Sequence, residues 1–214
     1  MNIYLCGQKY FGAEVFTALR QDGHNIVGVS SPAESANGSP DRLRTQADSF
    51  GVKWMKSGAL CEANMPSDVD LIVAAHSHDF ITEPTRSRTK YGAIGYHPSL
   101  LPLHRGKDAI VWTIRMGDKV TGGSVYWLSE TMDGGPIAAQ EHVFVLPGDT
   151  PEELWRRDLA PLGVKLLRKA CVDIANGHLI KQAQNESIAT SEPSIKRVLD
   201  SAQSQSSSRK DRTA

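Results

Sequence analysis

The residues best suited to proton chemistry are a histidine and an aspartate that follow two predicted strands. His97 closes a short apolar run and precedes the proline-stiffened loop Pro98–Pro102, and Asp133 lies 36 positions later in the glycine-rich turn Met132–Pro136. A carboxylate beside an imidazole orients the ring, so such a pair can transfer protons near neutral pH. On spacing alone, the interpretation that His97 is a surface histidine and Asp133 an unrelated turn residue is about as good as the interpretation that they form a pair.

A second cluster, His76-Ser77-His78-Asp79, follows another predicted strand. In an extended segment the side chains of His76 and His78 share one face, and Asp79, His97 or Asp133 can complete a zinc site with an open water position. Histidines at a strand end are more often loop or pocket residues. We therefore predict no metal and keep a metallohydrolase built on His76, His78 and Asp133 as an alternative.

The first predicted strand-to-helix turn is Gly7-Gln8-Lys9-Tyr10-Phe11-Gly12. Glycines at this place can let backbone amides approach a phosphate at a helix N-terminus. The spacing differs from the dinucleotide fingerprint GxGxxG, and no acidic residue ends the second predicted strand. The pattern favours two glycines that serve a tight turn.

The composition is that of a globular protein with balanced charge. The 214 residues include 24 Lys+Arg and 24 Asp+Glu, and the sequence pI is about 7.1, which argues against a domain-wide basic field for nucleic acid. No apolar stretch approaches the roughly 20 residues of a membrane span, and the N-terminus resembles a first strand more than a signal peptide. We therefore expect a cytoplasmic protein. The three cysteines lack CxxC spacing, which indicates reduced thiols.

Short apolar runs alternate with helix-period segments, which predicts an α/β fold with a mostly parallel sheet and helices on both faces. The short connection between the last two strands predicts an antiparallel C-terminal strand pair. The predicted strands are Ile3–Cys6, Ile26–Ser30, Val52–Met55, Leu71–Ala75, Ala93–His97, Gly123–Leu128 and Ile137–Val145. The predicted helices are Phe11–Arg20, Arg42–Phe50, a turn near Glu83–Thr89, Ala109–Met116, and one from Thr150 to about Asn176 that stops at Gly177.

Three parts of the chain differ in composition. We expect residues 1–180 to form one catalytic domain and residues 181–200 to form an extended C-terminal segment. Residues 201–214 are Ser-rich and polar and contain no aromatic residue, which predicts a disordered tail.

The sequence YHPSLLPLHRG, with MDGGPIAAQ behind it, resembles the folate-dependent formyltransferase superfamily. The resemblance extends from Met1 to about Gly177 and is strongest, locally, to the hydrolase domain of 10-formyltetrahydrofolate dehydrogenase. It implies a Rossmann-like fold that binds 10-formyltetrahydrofolate, as formyl donor or substrate, at the carboxyl edge of the strands.

The resemblance also implies roles for individual residues. His97 is the implied catalytic histidine and Asp133 the implied essential carboxylate. The residues implied to bind the folate are Asp79, Phe80, Ile81, Met132, Gly134 and Gly135, and those implied to bind the substrate are Gly95, Ser99 and Leu100.

One position departs from the family pattern. Most formyltransferases carry an asparagine two residues before the histidine, where its amide helps to stabilise the oxyanion, and this chain has Gly95. Loss of one such donor typically costs about 10²–10³ in rate. The leading interpretation remains formyl transfer from 10-formyltetrahydrofolate to a small amine. Hydrolysis that releases formate is the first alternative, and a non-catalytic folate-binding module is a further one.

The expected partners are therefore folate and a small-molecule substrate. The neutral charge, and a short tail where methionyl-tRNA formyltransferases carry a C-terminal barrel, make tRNA an unexpected acceptor. The sequence leaves the acceptor, the oligomeric state and the role of residues 181–200 open.

Overall fold

The chain folds around one seven-stranded sheet. The computed structural model describes residues 1–77 and 79–196. The strands are β1 (Asn2–Gly7), β2 (Asn25–Ser31), β3 (Trp54–Lys56), β4 (Leu71–Ala75), β5 (Ala93–His97), β6 (Val120–Trp127) and β7 (Ile137–Phe144). The helices are α1 (Lys9–Gln21), α2 (Arg42–Ser49), α3 (Glu83–Arg86), α4 (Ala109–Met116), α5 (Pro151–Leu154) and α6 (Ala160–Ala175).

The order of the strands is β3-β2-β1-β4-β5-β6-β7. The first five strands in this order pair in parallel, β6 runs antiparallel to β5, and β7 runs antiparallel to β6. The predicted fold class, a Rossmann-like mostly parallel sheet with an antiparallel C-terminal strand pair, is confirmed. Only β6 and β7 were predicted to pair antiparallel, and the structure adds the antiparallel pairing of β5 with β6.

The central strands are buried on both faces, as expected of parallel strands covered on two sides. On β1, Ile3 and Leu5 join the larger core, to which α1, α2 and α6 also contribute. Tyr4 and Cys6 point to the opposite face, where they join a smaller core. The smaller core draws much of its apolar surface from connecting segments, through Leu60, Met65, Val69 and Ile81.

The turn from β1 to α1 requires its two glycines because backbones approach closely there. A Cβ on Gly7 would lie 2.6 Å from the carbonyl oxygen of Ala75, and a Cβ on Gly12 would lie 3.3 Å from the carbonyl carbon of Gly7. The geometry agrees with the tight-turn interpretation of this motif.

The predicted C-terminal helix is continuous but not uniform. Thr150 and Glu153 form a capping box at its start, as the sequence pattern indicates. The helix widens to a π-helical stretch over Trp155–Leu159 and returns to α-helical geometry in α6. Pro161 has no N–H to donate, which explains an interrupted ladder at this place. The helix ends at Ala175, close to Gly177, which has a left-handed φ of 83°.

Residues 178–196 lie against the domain as a C-terminal segment. The segment makes isolated bridges from Gln182 to Ile137 and from Ser191 to Arg105, and contains one 3₁₀ turn, Glu186–Ile188. The predicted disordered tail, residues 201–214, lies outside the described residues. No helix in the described part of the chain is long and apolar enough to cross a membrane.

Candidate active site

His97 is the last residue of β5 and is only 7% exposed. Its Nε2 atom lies 2.7 Å from the carbonyl oxygen of His104. A carbonyl oxygen can only accept, so Nε2 carries a proton and donates it to this bond. The other ring nitrogen, Nδ1, is therefore the one free to gain and lose a proton, and it faces Asp133.

Asp133 lies between β6 and β7 with a left-handed φ of 52°. One carboxylate oxygen, Oδ1, accepts a 2.6 Å hydrogen bond from the hydroxyl of Tyr126, and Oδ2 accepts a 2.7 Å hydrogen bond from the backbone amide of Gly106. Burial, and the negative charge of Asp133, hold the pKa of Tyr126 well above its usual value. The tyrosine therefore keeps its proton, and both carboxylate oxygens are fixed in place.

The two predicted catalytic residues meet at the end of β5. His97 Nδ1 lies 3.6 Å from Asp133 Oδ2, which is too long for a direct hydrogen bond. A third polar atom placed beside the pair can lie within hydrogen-bond distance of both. The arrangement can accept a proton from an attacking group at the carboxylate and deliver one from the imidazole, which is general acid–base chemistry.

Gly95 presents no polar side chain to this site. A Cβ built on it would lie 3.0 Å from Cδ2 of Leu128 and 3.5 Å from Cε1 of Tyr126. The space beside Gly95 is therefore filled by two neighbouring side chains rather than left open.

The structure does not give Ser99 a side chain that is free for substrate. Ser99 is fully buried, and its hydroxyl donates to the carbonyl oxygen of Leu103 at 2.6 Å. Its own carbonyl accepts from Ser124. Leu100 is half-buried, and its Cδ2 lies 2.7 Å from where a Cβ on Gly122 would be. Both residues shape the loop after His97.

The residues predicted to bind folate fall into two groups. Phe80 and Met132 are 70% and 67% exposed, the two highest values among the exposed large apolar side chains of the described residues. Ile81 is instead buried in the smaller core, and the Asp79 carboxylate accepts a 3.0 Å hydrogen bond from Ser30. Ile81 thus contributes packing.

The segments that carry Phe80 and Met132 are joined by one guanidinium. The side chain of Arg86 donates to the carbonyl oxygen of Ile81 and to the carboxylate of Glu130. This bridge joins the two loops that carry the exposed apolar side chains.

The turn after Asp133 requires glycine. A Cβ on Gly135 would lie 1.7 Å from the carbonyl oxygen of Trp127, and a Cβ on Gly134 would lie 2.7 Å from Cγ2 of Thr131. The predicted backbone role of Gly134 and Gly135 is compatible with this close packing.

The metal alternative gains no support from the described residues. His78 lies outside them, and His76 has a left-handed φ of 59° with its ring 6.1 Å from that of Trp155. Within residues 1–77 and 79–196 no group of three or more His, Cys, Asp or Glu side chains is placed to hold a metal ion.

The N-terminus of α1 is occupied by a carboxylate from the chain itself. Asp41 is buried and accepts 2.9 Å hydrogen bonds from the amides of Lys9 and Leu43, at the starts of α1 and α2. An internal anion here satisfies the amide that a bound phosphate would otherwise need. This agrees with the low expectation of phosphate binding at the first turn.

The C-terminal segment contributes residues that sequence reasoning missed. The amide nitrogen of Gln184 donates to the carbonyl oxygens of Asp133 and Gly135, at 2.7 Å each. Its amide oxygen accepts from Arg105, whose guanidinium also pairs with Glu186. The segment thereby fastens the Asp133 turn to the loop that supplies the amide of Gly106. No local pattern marks Gln184 for this role.

His104 links the same segment to His97. Its carbonyl oxygen accepts the hydrogen bond from the His97 ring, its Nε2 atom lies 2.8 Å from Asp118 Oδ2, and its Nδ1 atom lies 3.2 Å from Glu192 Oε2. The ring of His104 is thus hydrogen-bonded to Asp118 and lies next to the Glu192 carboxylate of the C-terminal segment, with which its Nδ1 makes no hydrogen bond.

Comparison with known proteins identifies the family. Residues 1–170 match the family described as formyl transferase. Human mitochondrial 10-formyltetrahydrofolate dehydrogenase is 38% identical over 201 residues, which are 90% of this chain and 22% of that protein. The chain thus spans about a fifth of this relative.

Two solved structures share the fold. Glycinamide ribonucleotide transformylase 1 from Symbiobacterium toebii has a TM-score of 0.69 at 22% identity, over 86% of this chain and 94% of that one. The N-formyltransferase from Helicobacter canadensis has a TM-score of 0.72 at 15% identity, over 90% and 70%. With the family match over residues 1–170 and a histidine–aspartate pair at the sheet edge, the chain belongs to the formyl transferase family.

Proposed function

We propose that the protein transfers the formyl group of 10-formyltetrahydrofolate to a small primary amine. The observation that carries this proposal is the buried pair of His97 Nδ1 and Asp133 Oδ2, 3.6 Å apart at the edge of the sheet. Family membership makes the chain an enzyme of formyl chemistry.

Two findings support folate as the carrier of the formyl group. The dehydrogenase relative is named for 10-formyltetrahydrofolate, and the structure of the Helicobacter canadensis enzyme is a complex with folinic acid. In this chain, the exposed side chains of Phe80 and Met132 lie on loops that Arg86 joins, and Met132 immediately precedes Asp133. Exposed apolar surface next to backbone groups suits a flat pterin ring with amide edges.

In the proposed reaction, Asp133 accepts one proton and His97 donates one. The amine nitrogen attacks the formyl carbon and forms a C–N bond, and Asp133 Oδ2 accepts the proton that this nitrogen loses. The imidazolium form of His97 stabilises the negative oxygen and donates its Nδ1 proton to the leaving folate nitrogen as the old C–N bond breaks. The products are an N-formyl amine and tetrahydrofolate, and the pair exchanges protons to return to its starting state.

Hydrolysis is the second candidate, and Gly95 is the observation that favours it. The position offers no amide to the oxyanion, and its space is filled by Leu128 and Tyr126. With water in place of the amine, the same proton transfers release formate. Transfer to tRNA is a weaker proposal because the chain has a formal net charge of zero.

The test is an anaerobic incubation with 10-formyltetrahydrofolate, with and without a panel of amino sugars, amino acids and amides. Tetrahydrofolate is followed by absorbance, formate by a coupled assay, and N-formyl products by mass spectrometry. Asp133→Asn removes the proton acceptor, and Asp48→Asn, which alters a largely exposed carboxylate on α2, is the matched control.

Each result selects one function. Turnover that requires an amine, and is lost in Asp133→Asn only, supports transfer. Formate release without an amine, lost in the same variant, identifies a hydrolase. Folate binding with turnover no faster than in His97→Ala identifies a binding module, and loss of activity on chelation returns the metallohydrolase alternative.

A further inference from the structure

Tyr126 borders the space beside Gly95, together with Leu128. The two residues lie directly opposite each other in the pairing of β5 with β6, so the phenol ring and the missing side chain belong to the same face of the sheet. The ring carbon Cε1 of Tyr126 lies 3.5 Å from the position of a Cβ on Gly95, and Cδ2 of Leu128 lies 3.0 Å from it. A Cβ at position 95 would therefore crowd Leu128 and contact the ring of Tyr126.

The hydroxyl of Tyr126 ends on the Asp133 carboxylate. Its 2.6 Å hydrogen bond to Oδ1 and the 2.7 Å bond from the Gly106 amide to Oδ2 approach from two different elements. Rotation of the carboxylate would break both bonds. Hydrogen bonds to an ionised group are also among the stronger ones in proteins.

We infer that Tyr126 is a positioning residue for the formyl reaction: its hydroxyl holds Asp133 Oδ1 and thereby turns Oδ2 toward His97 Nδ1, while its ring lies against the Gly95 position. This inference rests on the proposed function because that function gives Asp133 its part in the chemistry. Gly95 contributes no side chain to this face of the sheet, and the residue opposite it, Tyr126, contributes the hydroxyl that binds Asp133.

The sequence supplies a matched control for the substitution that tests this role. Tyr126→Phe removes one buried hydroxyl from the site. Tyr96→Phe removes one from the opposite face of the neighbouring strand, where the hydroxyl of Tyr96 donates a 2.7 Å hydrogen bond to the carbonyl oxygen of Leu159. Both variants lose one buried hydrogen bond, so a general loss of stability affects both.

The expected kinetic result separates the two variants. Tyr126→Phe lowers kcat about 10- to 100-fold, the range expected for one hydrogen bond to a charged group, and leaves KM for 10-formyltetrahydrofolate within about twofold. Tyr96→Phe keeps kcat within about twofold of the parent protein. These bounds apply whichever nucleophile, amine or water, supports turnover.

A second readout needs no substrate. The ring resonances of His97, followed by NMR in the folded protein, shift in Tyr126→Phe because the carboxylate that faces Nδ1 changes its orientation. They stay in place in Tyr96→Phe.

An unchanged kcat in Tyr126→Phe, an equal loss in Tyr96→Phe, or unmoved His97 resonances would overturn the inference. If neither any of the tested amines nor water supports turnover by the parent protein, the proposed function fails. The NMR comparison then decides the positioning role alone, so the two failures are distinguishable.

Discussion

The contact between Gln184 and the Asp133 turn leads to a quantitative prediction. Gln184→Glu keeps the size of the side chain and its oxygen acceptor for Arg105. It replaces the donor nitrogen by a negative oxygen that faces the carbonyl oxygens of Asp133 and Gly135, each 2.7 Å from the present nitrogen. The substitution therefore acts on the turn without opening a cavity.

The size of the effect follows from the two bonds that are lost. Each is worth about 0.5–1.5 kcal/mol net, so the turn loses about 1–3 kcal/mol, and repulsion between oxygens adds to this. If the active arrangement of Asp133 loses the same free energy, kcat falls about 5- to 150-fold. The pairing with Arg105 persists, so the fold is retained.

Glu186→Gln is the matched control. Glu186 also binds Arg105, but it is largely exposed and makes no hydrogen bond to the Asp133 turn. We expect its kcat to stay within about twofold of the parent protein. The assay measures kcat at saturating 10-formyltetrahydrofolate, with thermal unfolding in parallel. A Gln184→Glu protein that is folded and fully active, or a Glu186→Gln protein with the larger loss, would refute the reasoning.

Three further predictions use other parts of the structure. Gly95→Asn lowers the melting temperature and does not raise kcat, because the new side chain crowds Leu128 and packs against the ring of Tyr126; a gain in kcat would contradict the packing. In the folded protein, a thiol reagent modifies Cys61 alone, since the other two cysteines are buried, and all three react after denaturation; fast reaction of more than one thiol in the native state would show that the core opens. The hydrogen bond and ion pair with Arg168 lower the pKa of the Asp22 carboxyl from 3.8. The stabilisation from this pair is present above pH 3.8 and is lost as the pH falls through the lower pKa of the folded state. The melting-temperature gap between Asp22→Asn and the parent protein therefore narrows below about pH 3.8, and a constant gap would argue against the pair.

Most of the fold could be predicted from local patterns. The runs Ile3–Cys6 and Leu71–Ala75 are short and apolar throughout, as strands buried on both faces must be, and they became β1 and β4 with small changes at their ends. The prediction erred where a strand is short and half-buried. β3 covers Trp54–Lys56 and pairs there with β2, so it begins two residues later and ends one residue later than the predicted Val52–Met55.

The sequence predicted the two central residues of the candidate site and did not predict the residues that hold them. His97 and Asp133 carry a residue-type signal at strand ends, and the sheet brings them to 3.6 Å. Gln184 binds the Asp133 turn from 51 residues away and Tyr126 binds Asp133 through its terminal hydroxyl alone. Contacts of this kind follow from three-dimensional packing, which composition and periodicity do not encode.

The place of the C-terminal segment in the chain has a consequence for synthesis. All seven strands and α6 precede residue 176, so the ribosome makes every element of the sheet before it makes this segment. Gln184, which donates to the Asp133 turn, and Glu186, which pairs with Arg105, are made afterwards. The contacts that join the Asp133 turn to the Arg105 loop through Gln184 are therefore among the last that a nascent chain can form.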